Sequence, residues 1–230
     1  MRVRHVLIAL ALGIIGINLG WVLWLGVTGE GVARLADVAL ERVPESGVSN
    51  PVTAVLLNFR AYDTLLELAV LLAAILGIWS AGPALTGFLP GGPVLRSLTT
   101  SVVPLLILAA GYMLWVGGHA PGGAFQAGAL LGAAGVMLSL AGQANAGLPS
   151  PRVLRLAIVL GVLVFTMSAV VLMATGAGFL SFPIAIAKWL ILFIETAATL
   201  TIGATLAAAY LAGEPPAPAG FPPQRGGSER

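Results

Sequence analysis

Apolar residues run along this chain in long stretches, and most of the charges fall between the stretches. Such runs predict helices that cross a membrane, because about 20 apolar residues rising roughly 1.5 Å each span a hydrocarbon core of about 30 Å. Val6 to Val27 carries no charge and is read as a first span. Its start, Met1-Arg2-Val3-Arg4-His5, has the composition of a signal-peptide n-region. The apolar run is too long for a signal peptide, however, and no small-residue cleavage motif follows, which favours an uncleaved span. From Gly29 to Asn50 the acids Glu30, Asp37, Glu41 and Glu45 mix with Arg34, Arg42 and Pro44, a pattern that predicts a short amphipathic helix and loop at the membrane surface.

Pro51 to Ser80 is apolar overall but carries Arg60, Asp63 and Glu67. As one straight helix it would run about 45 Å, longer than the core, so it must tilt, break or protrude. With Trp79 at one interface, Glu67 lies about 18 Å below it and Asp63 about 24 Å. Further spans are read at Leu98 to Gly117, Gly122 to Gly142, Leu156 to Ala174 and Pro183 to Ala212, the last containing Lys188 and Glu195. From Glu214 onward, proline, glycine and charge predict a disordered tail. The fold class expected is all-α: a polytopic membrane protein of about six transmembrane helices with no soluble domain.

Composition agrees with this pattern. Only 9% of the residues are charged, against about 25% in a soluble domain. The basic residues are scattered rather than gathered into a stripe, which excludes a nucleic-acid partner. With both termini inside, Arg2, Arg4, Arg96, Arg152, Arg155, Arg225 and Arg230 lie on the cytoplasmic side, and Arg34 and Arg42 lie outside. That asymmetry supports six spans with cytoplasmic termini. There is no cysteine and there are two histidines, so thiolate chemistry is excluded and neither a metal nor a cofactor is expected. No phosphate loop, dinucleotide fingerprint or nucleophile elbow is present, and the chain is not read as an enzyme.

Ionisable residues within spans cost about 2.5 to 3.5 kcal/mol even on the gentlest insertion scale, which makes them functional candidates. Asp63 and Glu67, four apart, share a helix face with Arg60 three before Asp63. They are read either as a proton or cation relay or, for Arg60 and Asp63, as an ion pair that holds helices together or snorkels. Lys188 and Glu195 are two turns apart on one face, which Thr199 continues. They line a hydrated path, or Lys188 snorkels near Phe182 and Trp189 while Glu195 bonds to another subunit. The segment Gly118-His119-Ala120-Pro121-Gly122-Gly123-Ala124-Phe125 joins proline to paired glycines. It is read as a helix break that lines a cavity or, more blandly, as a tight turn. His119 is a candidate proton relay or a solvated interfacial histidine. The pairs Gly128/Gly132 and Gly16/Gly20 read as close helix packing.

Two of these segments carry a family resemblance. His119-Ala120-Pro121-Gly122-Gly123-Ala124-Phe125-Gln126-Ala127-Gly128 resembles the signature of the B subunit of Mrp-type multisubunit sodium/proton antiporters, in which a Pro-Gly-Gly-Gly-Phe run links two helices. Ser181-Phe182-Pro183 and the Glu195 helix fit the same four-helix subunit. Asn58-Phe59-Arg60-Ala61-Tyr62-Asp63-Thr64-Leu65-Leu66-Glu67 resembles a segment at the C-terminal end of the large antiporter subunit, which is also found as a small subunit of membrane-bound hydrogenases. Arg60, Asp63, Thr64, Glu67, Pro121, Gly122, Gly123 and Phe125 match. Asn58 stands where that family has an acid, Ala61, Leu66 and Ala124 stand at glycine positions, and Tyr62 stands for phenylalanine.

The resemblance implies a fusion: a two-helix module over residues 1–97, a four-helix B-type module over 98–212 and a tail over 213–230. It further implies an inner-membrane subunit that works with other antiporter subunits, in the lipid bilayer, on Na+ and H+. Ion movement would then run through Glu67, with Glu195 as a second station. The alternatives are a membrane-arm subunit of a hydrogenase or related redox-driven pump, and a structural anchor whose charges only pair between subunits.

Overall fold

The computed structural model describes residues 2–28, 35–82, 91–148 and 150–212. The tail expected over 213–230 lies outside the described residues, as do Glu30 and Arg34. All regular structure among the described residues is helical, and the chain divides into two units, residues 1–41 and 42–230.

The first unit holds α1 (Arg2–Thr28) and α2 (Leu35–Glu41). Both fall where the hydrophobic pattern places them. α1 is apolar all round, with exposed Leu, Ile, Val and Trp side chains along its length, as a helix sheathed by lipid requires. Within this unit, no atom of the described residues stands within 4 Å of where a side chain on Gly16 or Gly20 would begin, so the structure shows no close packing there for that pair.

The second unit begins with a 3-10 turn, Val43–Ser46, followed by α3 (Pro51–Ala54). Asn50 caps α3, its Oδ1 accepting from the Val52 N–H at 3.1 Å, and Pro51 takes the first-turn position where no N–H is needed. The overlong Pro51–Ser80 run breaks. A single wide, π-helical turn over Val55–Phe59 ends at Arg60, whose φ of −128° and ψ of 33° leave the helical region. Thr64 repairs part of the damage by donating its hydroxyl to the Leu56 carbonyl at 2.6 Å. α4 (Ala61–Ser80) then continues to Trp79.

α5 (Pro93–Val116), α6 (Ala124–Leu140), α7 (Pro151–Ala174) and α8 (Ile184–Ala212) complete the bundle. α5 and α7 start about five residues earlier than the apolar runs suggest. In each a proline opens the first turn and one or two arginines are absorbed into the helix: Arg96 in α5, Arg152 and Arg155 in α7. Among the described residues five helices are long and apolar enough to cross a membrane, and α6, at 17 residues, is a shorter apolar sixth. The chain is thus a polytopic α-helical membrane protein.

α8 is the hub, packing on α6, α7 and α4. Its seam with α6 is made by small residues. A side chain on Gly128 would meet Ile202 at 2.6 Å, one on Gly132 would meet Leu206 at 2.9 Å, and one on Gly203 would meet Leu131 at 2.8 Å. The Gly128/Gly132 reading therefore holds, and because residue numbers rise together along the seam, α6 and α8 run parallel. Against α7, the Thr201 hydroxyl reaches into the neighbouring backbone, accepting from the Gly161 N–H and donating to the Ala157 carbonyl, each at 2.7 Å. Leu68, Phe165, Ala169, Ile191, Ile194 and Ala198 fill the core between α4, α7 and α8.

Candidate functional site

The segment between α5 and α6 breaks the helix where proline and paired glycines predict it. Gly123 has a φ of 115°, open to glycine and strained for other residues. Its N–H donates back to the Met113 carbonyl at 2.8 Å, folding the loop onto the end of α5. Gly122 is equally confined, because a Cβ there would stand 2.5 Å from the same carbonyl. Pro121 precedes this pair, and Phe125 follows in the first turn of α6.

A second segment pins the loop from outside. Asn50 Nδ2 donates to the carbonyls of Gly117 at 2.8 Å and Ala120 at 2.9 Å. Thr53 Oγ1 donates to Gly117 at 2.5 Å, and the Ser49 and Asn50 N–H groups both reach the Gly118 carbonyl. Behind them Asn58 Nδ2 donates to the Ser46 carbonyl at 2.9 Å. These polar anchors escaped the charge-based sequence reading. The signal available for Asn50 was the Asn-Pro pair, a helix N-cap followed by a first-turn proline.

Glu195 meets the loop from α8. It is 3% exposed, and its Oε1 accepts from the Ala124 N–H, the first of α6, at 3.3 Å. A carboxylate at a helix N-terminus faces unpaired N–H groups and the positive end of the helix dipole. The contact depends on glycine, because a Cβ on Gly123 would come within 2.8 Å of Oε1. Glu195 lies 11 positions beyond Ile184, about 17 Å along α8. α6 therefore begins well inside the length of α8, and the Gly122–Gly123 backbone is irregular at depth. Such backbone is tolerated where it lines a cavity.

A cavity is present there. About 310 Å³ in volume, it is lined by Glu67 and Thr64 of α4, Gly122 and Gly123 of the loop, Phe125 of α6 and Glu195 of α8. A smaller cavity of about 40 Å³ also touches Glu195, against His119 and Lys188. Both exceed the roughly 10–15 Å³ that one water occupies. Glu195 thus borders two cavities, with Glu67 on the first and His119 and Lys188 on the second.

The remaining expected residues divide. Asp63 and Arg60 form an ion pair, Arg60 exposed and Asp63 partly so, but both stand at the start of α4, so the pair does not hold one helix to another. Asp63 also borders an open groove with Glu67 and Phe125, while Arg60 borders none of these cavities. Lys188 is exposed, with its Nζ 5.7 Å from the Trp189 ring. Thr199, on the same stripe as Glu195, is buried with its hydroxyl unpartnered among the described residues. No group of three or more His, Asp or Glu side chains gathers as a metal site among the described residues.

Comparison with known proteins agrees with this architecture. No curated protein matches the chain. Two solved structures share the fold. One is the Mrp complex from Dietzia sp. DQ12-45-1b, matched at TM-score 0.64 and 23% identity over 93% of this chain and 26% of that chain. The other is a membrane-bound sulfane sulfur reductase, an archaeal respiratory membrane complex, matched at TM-score 0.67 and 24% identity over 92% of this chain and 98% of that chain. The chain thus spans about a quarter of the matched chain in the first and nearly all of that in the second. A family model described as a domain related to the MnhB subunit of Na+/H+ antiporter matches residues 94–214. That match covers more than half of the chain, from the start of α5 to the end of α8, and the protein belongs to this MnhB-related family.

Proposed function

We propose that this chain is an inner-membrane subunit of an Mrp-type cation/proton antiporter complex, and that protons or cations pass between Glu67 and Glu195 through the cavity they share. The observation that carries this reading is the meeting of two carboxylates from different helices at an irregular, glycine-built loop inside the bundle. Intramembrane carboxylates that face cavities mark ion pathways. From Glu195 the path continues along the smaller cavity to His119 and Lys188, whose loop and helix start belong to one end of the bundle. The opposite end carries Arg96, Arg152 and Arg155. The Gly91 N–H donates to the Leu140 carbonyl across that end, and the arginine excess there supports placing it in the cytoplasm.

The test is cation-dependent proton flux in membranes holding the whole complex, with Glu67→Gln and Glu195→Gln compared at equal complex levels. Each substitution keeps the shape and removes the exchangeable charge, and each lowers flux by about tenfold or more, a loss of roughly 1.4 kcal/mol or more at the limiting step. Wild-type flux in both variants would end the transport reading and leave a scaffold.

A second reading is a subunit of a redox-driven pump. Its support is the likeness to a sulfane sulfur reductase chain over nearly the full length of both. The subunits that purify with this chain separate the two: large antiporter-like proteins alone favour the first, and iron-sulfur proteins favour the second.

A further inference from the structure

Glu67 differs from Glu195 in one respect that the transport reading does not use. It is exposed on the bundle surface, about two turns into a helix apolar enough to span the membrane. Beside it runs an open groove of about 450 Å³, lined by Asp63, Leu66, Glu67, Val70, Leu71 and Phe125. Along this face Tyr62, Leu66 and Val70 repeat every fourth residue and are 55%, 46% and 66% exposed. Lipid tails suit those three side chains. They do not suit a carboxylate, which costs kilocalories at that depth unless it meets water or a partner.

The charges on the face do not cancel. Arg60 is committed to Asp63, so Glu67 has no ion-pair partner among the described residues and the groove keeps an excess of negative charge. The apolar length of the first helix, Val6 to Val27, contains no ionisable residue and so offers no such charge within its span. The groove also adjoins the Glu195 cavity, since Glu67 and Phe125 line both. Whatever covers the groove therefore lies against two residues of the cavity wall.

We infer that the α4 face around Glu67 is an interaction surface for a membrane-spanning helix of another polypeptide that presents a basic side chain, Lys, Arg or His, to Glu67 at mid-membrane depth. The apolar positions Leu66 and Val70 flank that contact and supply packing on either side of it. The partner's basic group neutralises Glu67 and stands as the next station of the path, so the site on this chain is complete only when the partner is seated. This rests on reading α4 as a membrane span and Glu67 as a station.

The test uses the whole complex in host membranes, with a photo-crosslinking amino acid placed at Leu66 or Val70 and the adducts mapped by peptide mass spectrometry. The expected adduct joins this chain to a span of a different protein that has a basic residue within one helical turn of the crosslinked site. Glu67→Gln lowers its yield severalfold, and exchanging the charges, Glu67→Lys here with the partner's basic residue changed to Glu, restores it. Adducts to lipid alone, to the chain's own first helix, to a second copy of this chain, or to a span without a basic residue overturn the inference. Flux is read separately on the same complexes. An intact adduct with unchanged Glu67→Gln flux overturns the transport reading alone, whereas lost flux without the adduct overturns the docking face alone.

Discussion

Two helices of this protein carry acids within their apolar lengths, and the bundle treats them oppositely. α8 lies at the centre against α4, α6 and α7, and its Glu195 is sealed under the Gly122–Gly123 loop with an N–H to accept from. α4 packs with one face only. Leu65, Leu68 and Ile75 are buried, while Tyr62, Leu66 and Val70 look outward with Glu67 beside them. The acid on α8 is accommodated by this chain's own backbone. The acid on α4 is left for something else to accommodate, and it reaches the same cavity from outside. Spacing along the sequence marks both acids; which of them is enclosed follows from which helix is central.

The largest expected effect separates the two helices by packing. Gly128→Leu places a side chain where Ile202 stands at 2.6 Å, and overpacking of that kind costs about 1 to 3 kcal/mol or more. On α4, Gly77 is exposed and a Cβ there meets no atom within 4 Å, so Gly77→Leu falls within about 0.5 kcal/mol of wild type. Denaturant unfolding in mild detergent measures both, and similar losses would erase the distinction between the α8 seam and the open α4 face.

Next comes the anchor of the loop. Asn50→Ala strips a donor from the Gly117 and Ala120 carbonyls and the cap from α3. Loss of about 1 to 3 kcal/mol is expected for buried groups left unsatisfied. Hydrogen exchange sharpens the result, since protection falls at residues 117–124 and stays unchanged in α4 beyond Thr64. The smallest effect belongs to the charge pair. Arg60→Gln removes an exposed partner of Asp63, and such pairs contribute about 1 kcal/mol or less. Unfolding measured at low and high salt checks it, with the small difference shrinking as salt rises.

Much of the fold was legible because hydrophobic runs are long and charges are few. Every expected span has a helix, and the excess length of Pro51–Ser80 announced the break that falls at Arg60. The helix-break loop was equally legible, since proline and paired glycines permit little else. Helix starts were missed by several residues at α5 and α7, where an arginine near the end extends the helix past its apolar stretch. What the sequence did not disclose was proximity. Spacing relates residues on one helix, whereas the cavity joins Glu67 to Glu195 across 128 positions and sets His119 beside Lys188. Asn50 and Thr53 escaped notice because uncharged polar residues near a turn look ordinary until their partners are known.

The measurement that tests the shared cavity most directly is a double-mutant cycle on transport: cation-dependent proton flux in the intact complex for Glu67→Gln, Glu195→Gln and the two combined. If both acids serve one path, the double variant loses no more than the worse single variant, because a blocked path cannot be blocked twice. If the losses multiply, each acid serves its own route, and the cavity between them is not the passage.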